Sequence, residues 1–117
     1  MTIREKVLGK EHPSTAVTYN NIASIYYSQG EYDKALDWYN KALYVKEKVL
    51  GKEHPSTATT YNNIAGVYDR QGEYKKALDW YNKALAVLVR VLGEQHPKTV
   101  TTKVNMAETI RRMNANG

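Results

Sequence analysis

Apolar residues recur along this chain with the spacing of a helix. Tyr19, Ile22, Ala23 and Tyr26 follow one another at intervals of three and four, which places them on one helical face. A second segment, from Tyr32 to Leu50, does the same with Ala35, Trp38, Tyr39, Ala42, Leu43, Val49 and Leu50. The polar tetrapeptide "QGEY" separates the two. Gly30 and Gly51 stand just past each periodic run, where a left-handed C-terminal cap is wanted. Pro13 and Pro55 stop the preceding segment, and Ser14 and Ser56 are placed to cap the next helix. The pattern predicts a helix, a tight turn, a longer helix and a loop containing His-Pro.

That pattern occurs more than once. Residues 8–49 laid over residues 50–91 agree at 32 of 42 positions. The joint between units, "GKEHPSTA", stands at residues 9–16 and 51–58, and a worn copy, "GEQHPKTV", at 93–100. Repetition with a period between 20 and 50 residues signals a solenoid, in which each unit buries its apolar face against its neighbours. The expected fold is therefore an all-α solenoid of antiparallel helix pairs.

Composition narrows the function by exclusion. A chain of 117 residues, 42% hydrophobic and 25% charged, is the size and makeup of one globular domain. It has no cysteine, so neither disulfides nor thiolate metal sites are available, which fits a cytoplasmic setting. The longest apolar run, Ala84 to Leu92, is broken by Arg90 and too short to span a bilayer, and no secretory signal follows Met1. No membrane role is expected. The net charge of +5 is scattered among acids, as in Asp33-Lys34 and Glu47-Lys48, so no nucleic-acid partner is expected either.

The joint histidines, His12, His54 and His96, are candidates for a metal. Equivalent points on stacked repeats lie about 10 Å apart, too far to share one ion. A loop-stabilising role is expected for them, with no metal and no cofactor. No nucleophile–base constellation or Gly-rich phosphate loop is present, so no enzymatic activity is expected.

The unit "TYNNIAGVYDRQGEYKKALDWYNKALAV" resembles a tetratricopeptide repeat. Tyr61, Ile64-Ala65 and Tyr68 match the family's bulky, small-pair and tyrosine places in helix A, as do Tyr19, Ile22-Ala23 and Tyr26. Ala77, Tyr81 and Ala84 match its helix B, as do Ala35, Tyr39 and Ala42. The 42-residue period is similar to that of kinesin light chains. The resemblance implies a right-handed superhelix, with helices A lining a concave groove and helices B forming the back, and a binding scaffold rather than an enzyme. Residues 1–9 would be the tail of an earlier helix B, 10–51 and 52–93 two full repeats, and 94–117 a terminal half repeat. Its helix, about Thr99 to Met113, departs from the pattern, with Lys103 and Ile110 in place of two aromatics.

The two copies differ at ten positions. Val17/Thr59, Ser24/Gly66, Tyr27/Asp69 and Ser28/Arg70 fall within one arc of about 100°, away from the Tyr19–Ile22–Tyr26 face. This drifting stripe is either a ligand-facing groove or tolerant surface, and the resemblance favours the groove. Beside it lie Asn20-Asn21 and Asn62-Asn63, with Asn105 in the third copy. An asparagine amide offers donor and acceptor together, which suits the backbone of an extended peptide or a hydrogen bond between helices. The candidate groove is Asn20, Asn21, Ser24, Tyr27, Asn62, Asn63, Asp69, Arg70, Asn105 and Glu108, with a protein or peptide as partner. The family's clamp for chaperone C-termini would need basic residues where Asn20, Thr101 and Asn105 stand, so it is absent. Arg70, Arg111 and Arg112 would keep the C-terminal part of the groove basic, in keeping with the tryptophan–acidic peptides of kinesin light chains.

A second cluster of differences sits at the end of helix B, where Lys46 and Glu47 become Leu88 and Val89. Either the last helix covers this apolar pair or another chain does. The second alternative makes Leu88 and Val89 a self-association site and the chain a self-assembling unit, a dimer or head-to-tail stack.

Overall fold

A computed structural model describes residues 13–116, and within them the chain is five helices joined by short turns. They are α1 (Pro13–Ser28), α2 (Tyr32–Val49), α3 (Pro55–Arg70), α4 (Tyr74–Leu92) and α5 (Pro97–Asn116). The expected helical tail before the first repeat lies outside the described residues. The last helix starts two residues earlier and ends three later than the periodicity suggests, because Pro97 opens a helix as readily as Pro55 does.

Each A–B turn is closed by the backbone alone. After α1 the amide of Glu31 donates to the carbonyl of Tyr26 at 2.9 Å, and that of Gly30 to Tyr27 at 3.1 Å. Those two bonds are a Schellman motif, which needs a left-handed residue, and Gly30 supplies it with φ of 78°. Gly72 repeats the arrangement after α3.

The joints between repeats correct the sequence reading in one respect. The side chain capping α3 is His54, not Ser56: the amide of Ser56 donates to His54 Nδ1 at 3.0 Å. At α5, Lys98 donates to His96 Nδ1 at 3.1 Å. Proline at the first helical position moves the cap back to the preceding residue, and a neutral imidazole accepts there as a serine hydroxyl would. Thr57 then ties its hydroxyl to the carbonyl of Gly51 at 2.8 Å.

The core is built on alanine. Ala16, Ala23, Ala35, Ala42, Ala58, Ala65, Ala77 and Ala84 have no exposed surface, and side chains this small let packed helices approach closely. Tilted pairs of Tyr19 with Trp38 and Tyr61 with Trp80, 5.6 and 5.7 Å apart, fill the wider gaps within each repeat. Ile64, Val67 and Leu88 complete the interior between them. Helices α1–α2 and α3–α4 pack as antiparallel pairs stacked in series, with α5 closing against α4. The result is an all-α repeat solenoid.

Candidate functional site

Helices α3 and α5, equivalent members of successive units, bound an open trough of about 820 Å³. Asn62, Asn63, Gly66, Asp69 and Arg70 line it from α3, and Lys98, Thr101, Asn105, Glu108 and Arg112 from α5. Tyr27, Tyr39, Tyr74 and Tyr81 close its other end. A 16-residue helix turns through about 100° per residue, so the positions 62, 63, 66, 69 and 70 share one face.

Of the groove residues expected from sequence, Tyr27, Asn62, Asn63, Asp69, Arg70, Asn105 and Glu108 line this trough. Asn20, Asn21 and Ser24, all on α1, do not. Ser24 instead shares a hydrogen bond of 3.1 Å with the hydroxyl of Tyr39. The second repeat has Gly66 in that place, where a side chain would meet nothing closer than the Tyr27 hydroxyl at 4.0 Å. Thr59, Lys98, Thr101 and Arg112 line the trough as well, beyond the candidate groove read from sequence. Thr59 belongs to the drifting stripe and Arg112 is among the residues expected to keep the groove basic, while Thr101 follows from carrying the 42-residue period of Thr59 onto the last helix. Arg111, expected to make the groove basic, is absent from its lining.

The two asparagines of "YNN" have separate occupations. Asn62 donates from Nδ2 to Thr102 Oγ1 at 2.7 Å, across the gap from α3 to α5. That is the inter-helix hydrogen bond, the alternative to ligand contact. Asn63 and Asn105 stand at equivalent positions one repeat apart, and among the described residues neither has a hydrogen-bonding partner.

The drifting stripe also ties repeat to repeat. Arg70 Nε donates to the Tyr27 hydroxyl at 3.2 Å. One repeat on, Arg112 takes the place of Arg70 and Asp69 that of Tyr27. Arg112 grips Asp69 with two donors, Nε at 3.3 Å from Oδ1 and Nη2 on Oδ2. Glu108 approaches the same guanidinium at 3.9 Å. Burial, then the Asp69 carboxylate and Tyr27, push the Tyr81 hydroxyl up to about 12, so it remains a neutral donor at ordinary pH. With Arg70, Lys98 and Arg112 facing Asp69 and Glu108, the trough carries a small positive excess.

At the end of helix B, Leu88 is fully buried within its own chain among Ile64, Val67 and Val87. It has no surface to offer another molecule, which removes it from the expected self-association site. Val89 keeps partial exposure on the outer side of α4, beside Leu85 and Ala86. The equivalent of Leu88, Lys46, is itself only 6% exposed and extends its ammonium to the carbonyl of Ser56 at 3.1 Å. Glu47, the equivalent of Val89, accepts from the Tyr61 hydroxyl at 2.9 Å.

The tetratricopeptide repeat family model matches residues 1–48, 14–88 and 70–115. The chain belongs to the tetratricopeptide repeat family. Comparison with curated proteins yields no match. Among solved structures, BtubC (BKLC) from P. vanneervenii aligns with a TM-score of 0.83 and 26% identity, over 94% of this chain and 44% of that one. The nearly identical TPR-like repeats of a proposed kinesin light chain from Podosopora anserina align with a TM-score of 0.80 and 24% identity, over 92% of this chain and 51% of that one. A single-residue variant of the latter matches equally well. At that identity the likeness to the Podosopora repeats shows the fold alone. This chain spans about half the length of the solved structures it matches. Tetratricopeptide repeats mediate protein–protein interaction or self-assembly, and they typically serve as non-enzymatic scaffolds. No helix among the described residues is long and apolar enough to cross a membrane.

Proposed function

We propose that the chain is a protein-interaction module that holds an extended peptide in the trough between α3 and α5. The observation that carries this reading is the pair Asn63 and Asn105. Their amides stand at equivalent points on successive helices A, line the same trough, and have no partner among the described residues. An amide so placed can donate to a peptide carbonyl and accept from the neighbouring N–H, which grips main chain without regard to sequence. Selectivity then falls to the flanks. Lys98 at one end attracts a carboxylate, while Gly66 and the tyrosines at the other leave room for a side chain.

Two and a half repeats form a short trough, and much of its charge is engaged by the Arg112–Asp69 and Arg70–Tyr27 contacts. Micromolar affinity is the expectation. Selection of a random peptide library on the immobilised chain tests the reading. Enriched peptides should perturb backbone resonances of α3 and α5 facing the trough. Enriched peptides that perturb other surfaces instead would count against it.

A further inference from the structure

We propose that the trough has a selectivity pocket at Gly66, and that it takes a serine or threonine side chain of the bound peptide. The pocket rests on the peptide-binding reading of the trough. In the first repeat the same place is held by Ser24, whose hydroxyl shares a hydrogen bond of 3.1 Å with that of Tyr39. One period on, Tyr81 repeats Tyr39, but Gly66 stands where its serine would be. Neither backbone nor packing asks for a glycine there. The other described glycines, 30, 51, 72 and 93, have φ between 78° and 93°. Gly66 instead lies inside helix α3, where glycine weakens a helix. A side chain would fit, since an added Cβ meets nothing nearer than the Tyr27 hydroxyl at 4.0 Å. What the glycine changes is the trough wall, where it leaves a space the size of a hydroxymethyl group beside Tyr81.

The surroundings of that space select a neutral occupant that hydrogen-bonds. Tyr81 is buried, and it lines the trough. Thr109 of α5, where the preceding repeat has Val67, leans toward the Tyr81 hydroxyl without completing a hydrogen bond, so its buried Oγ1 stays unpartnered. A ligand hydroxyl seated beside Gly66 accepts the phenol proton and frees the phenol oxygen to receive that of Thr109. Charge at this end of the trough cancels. Asp69 and Glu108 balance Arg70 and Arg112, and Arg112 already pairs with both acids. A carboxylate or phosphate placed here meets two resident carboxylates, and an aliphatic side chain leaves the phenol dry and unpaired. A small hydroxyl avoids both costs.

Peptides selected from a random library on the full chain, and placed in the trough by their resonance shifts, are the probes. Most should share a serine or threonine at one position. Exchanging that residue for alanine should weaken binding to the parent about fivefold, one neutral hydrogen bond's worth. On Gly66→Ser, which restores the arrangement of the first repeat, the hydroxyl and alanine peptides should bind alike. Tyr81→Phe removes only the phenol oxygen and should likewise erase the difference, which keeps the test decisive if Gly66→Ser melts early. Three results would overturn the pocket and leave the peptide-binding reading standing. They are trough-bound peptides with no hydroxyl preference, a preference for aspartate or glutamate at that position, and a fivefold difference that survives the substitutions. Selected peptides that all bind elsewhere would overturn both.

Discussion

Asn62 and Thr102, forty residues apart, are joined by a hydrogen bond of 2.7 Å that ties helix α3 to helix α5. Thr102 passes the bond on, donating to the carbonyl of Lys98 at 2.9 Å. The acceptor is fully buried, so losing Asn62 opens a polar defect between repeats. Asn62→Ala should cost about 1 kcal/mol in urea unfolding. Asn63→Ala, one residue away, should leave the midpoint unchanged. Equal losses would mean that both asparagines are structural.

The histidine caps can be separated from the rest of the joint. His54→Ala removes the acceptor for the Ser56 amide and should lower stability by about 1 kcal/mol. His54→Asn supplies a shorter acceptor at the same N-cap and should recover most of it. Thermal melts of the three proteins check this, and an alanine variant as stable as the parent would show the imidazole to be dispensable.

Lys46 is a buried cation whose counterpart in the next repeat is leucine. Burial, followed by the nearby Lys98 charge, lowers its proton affinity from the ordinary value of 10.5. A base with a depressed value in the folded state weighs against folding at neutral pH, and the penalty fades as pH rises toward 10.5. Lys46→Leu should therefore stabilise the protein by about 1 kcal/mol at pH 7, with a smaller gain near pH 10. The Ser56 carbonyl keeps its place in the α3 ladder, so no acceptor is stranded. A loss of stability on this substitution would show that the lysine bond outweighs its desolvation.

Tyrosines give the opposite sign. Tyr39, Tyr61 and Tyr81 are all raised above 10.0, chiefly by burial. Their stabilising effect is complete below pH 10 and is lost as pH climbs, through about 12 for Tyr81. Chemical denaturation between pH 9 and 12 should show stability falling above pH 10. Tyr61→Phe removes one ionising group, so its curve should fall less steeply. Parallel curves would place the alkaline sensitivity elsewhere.

Much of this architecture is legible in the sequence alone. A period of 42 residues with invariant Tyr19/Tyr61, Ile22/Ile64 and Ala23/Ala65 leaves no room for another fold, because packing positions repeat when their environment does. What cannot be read is the division of labour within a pair of like residues. Asn62 and Asn63 are adjacent and chemically identical and both line the trough, yet only Asn62 reaches across to Thr102 of α5. The same holds for the helix-B exchange. The sequence leaves Leu88 to be covered either by the last helix or by another chain, but its counterpart Lys46 is already inside, so the apolar residue fills a site that is buried in both repeats. Serine at the head of a helix is a sound cap in general, and here proline shifts the role to histidine.

The central claim is that Asn63 and Asn105 hold a peptide main chain in the trough. Its most direct test is the affinity of one library-selected peptide for the parent chain and for Asn63→Ala plus Asn105→Ala, measured by calorimetry alongside each protein's melting temperature. The account predicts at least about a tenfold loss of affinity, two neutral hydrogen bonds' worth, with the melting temperature unchanged. Unchanged affinity, or a loss that tracks a fall in melting temperature, would contradict it.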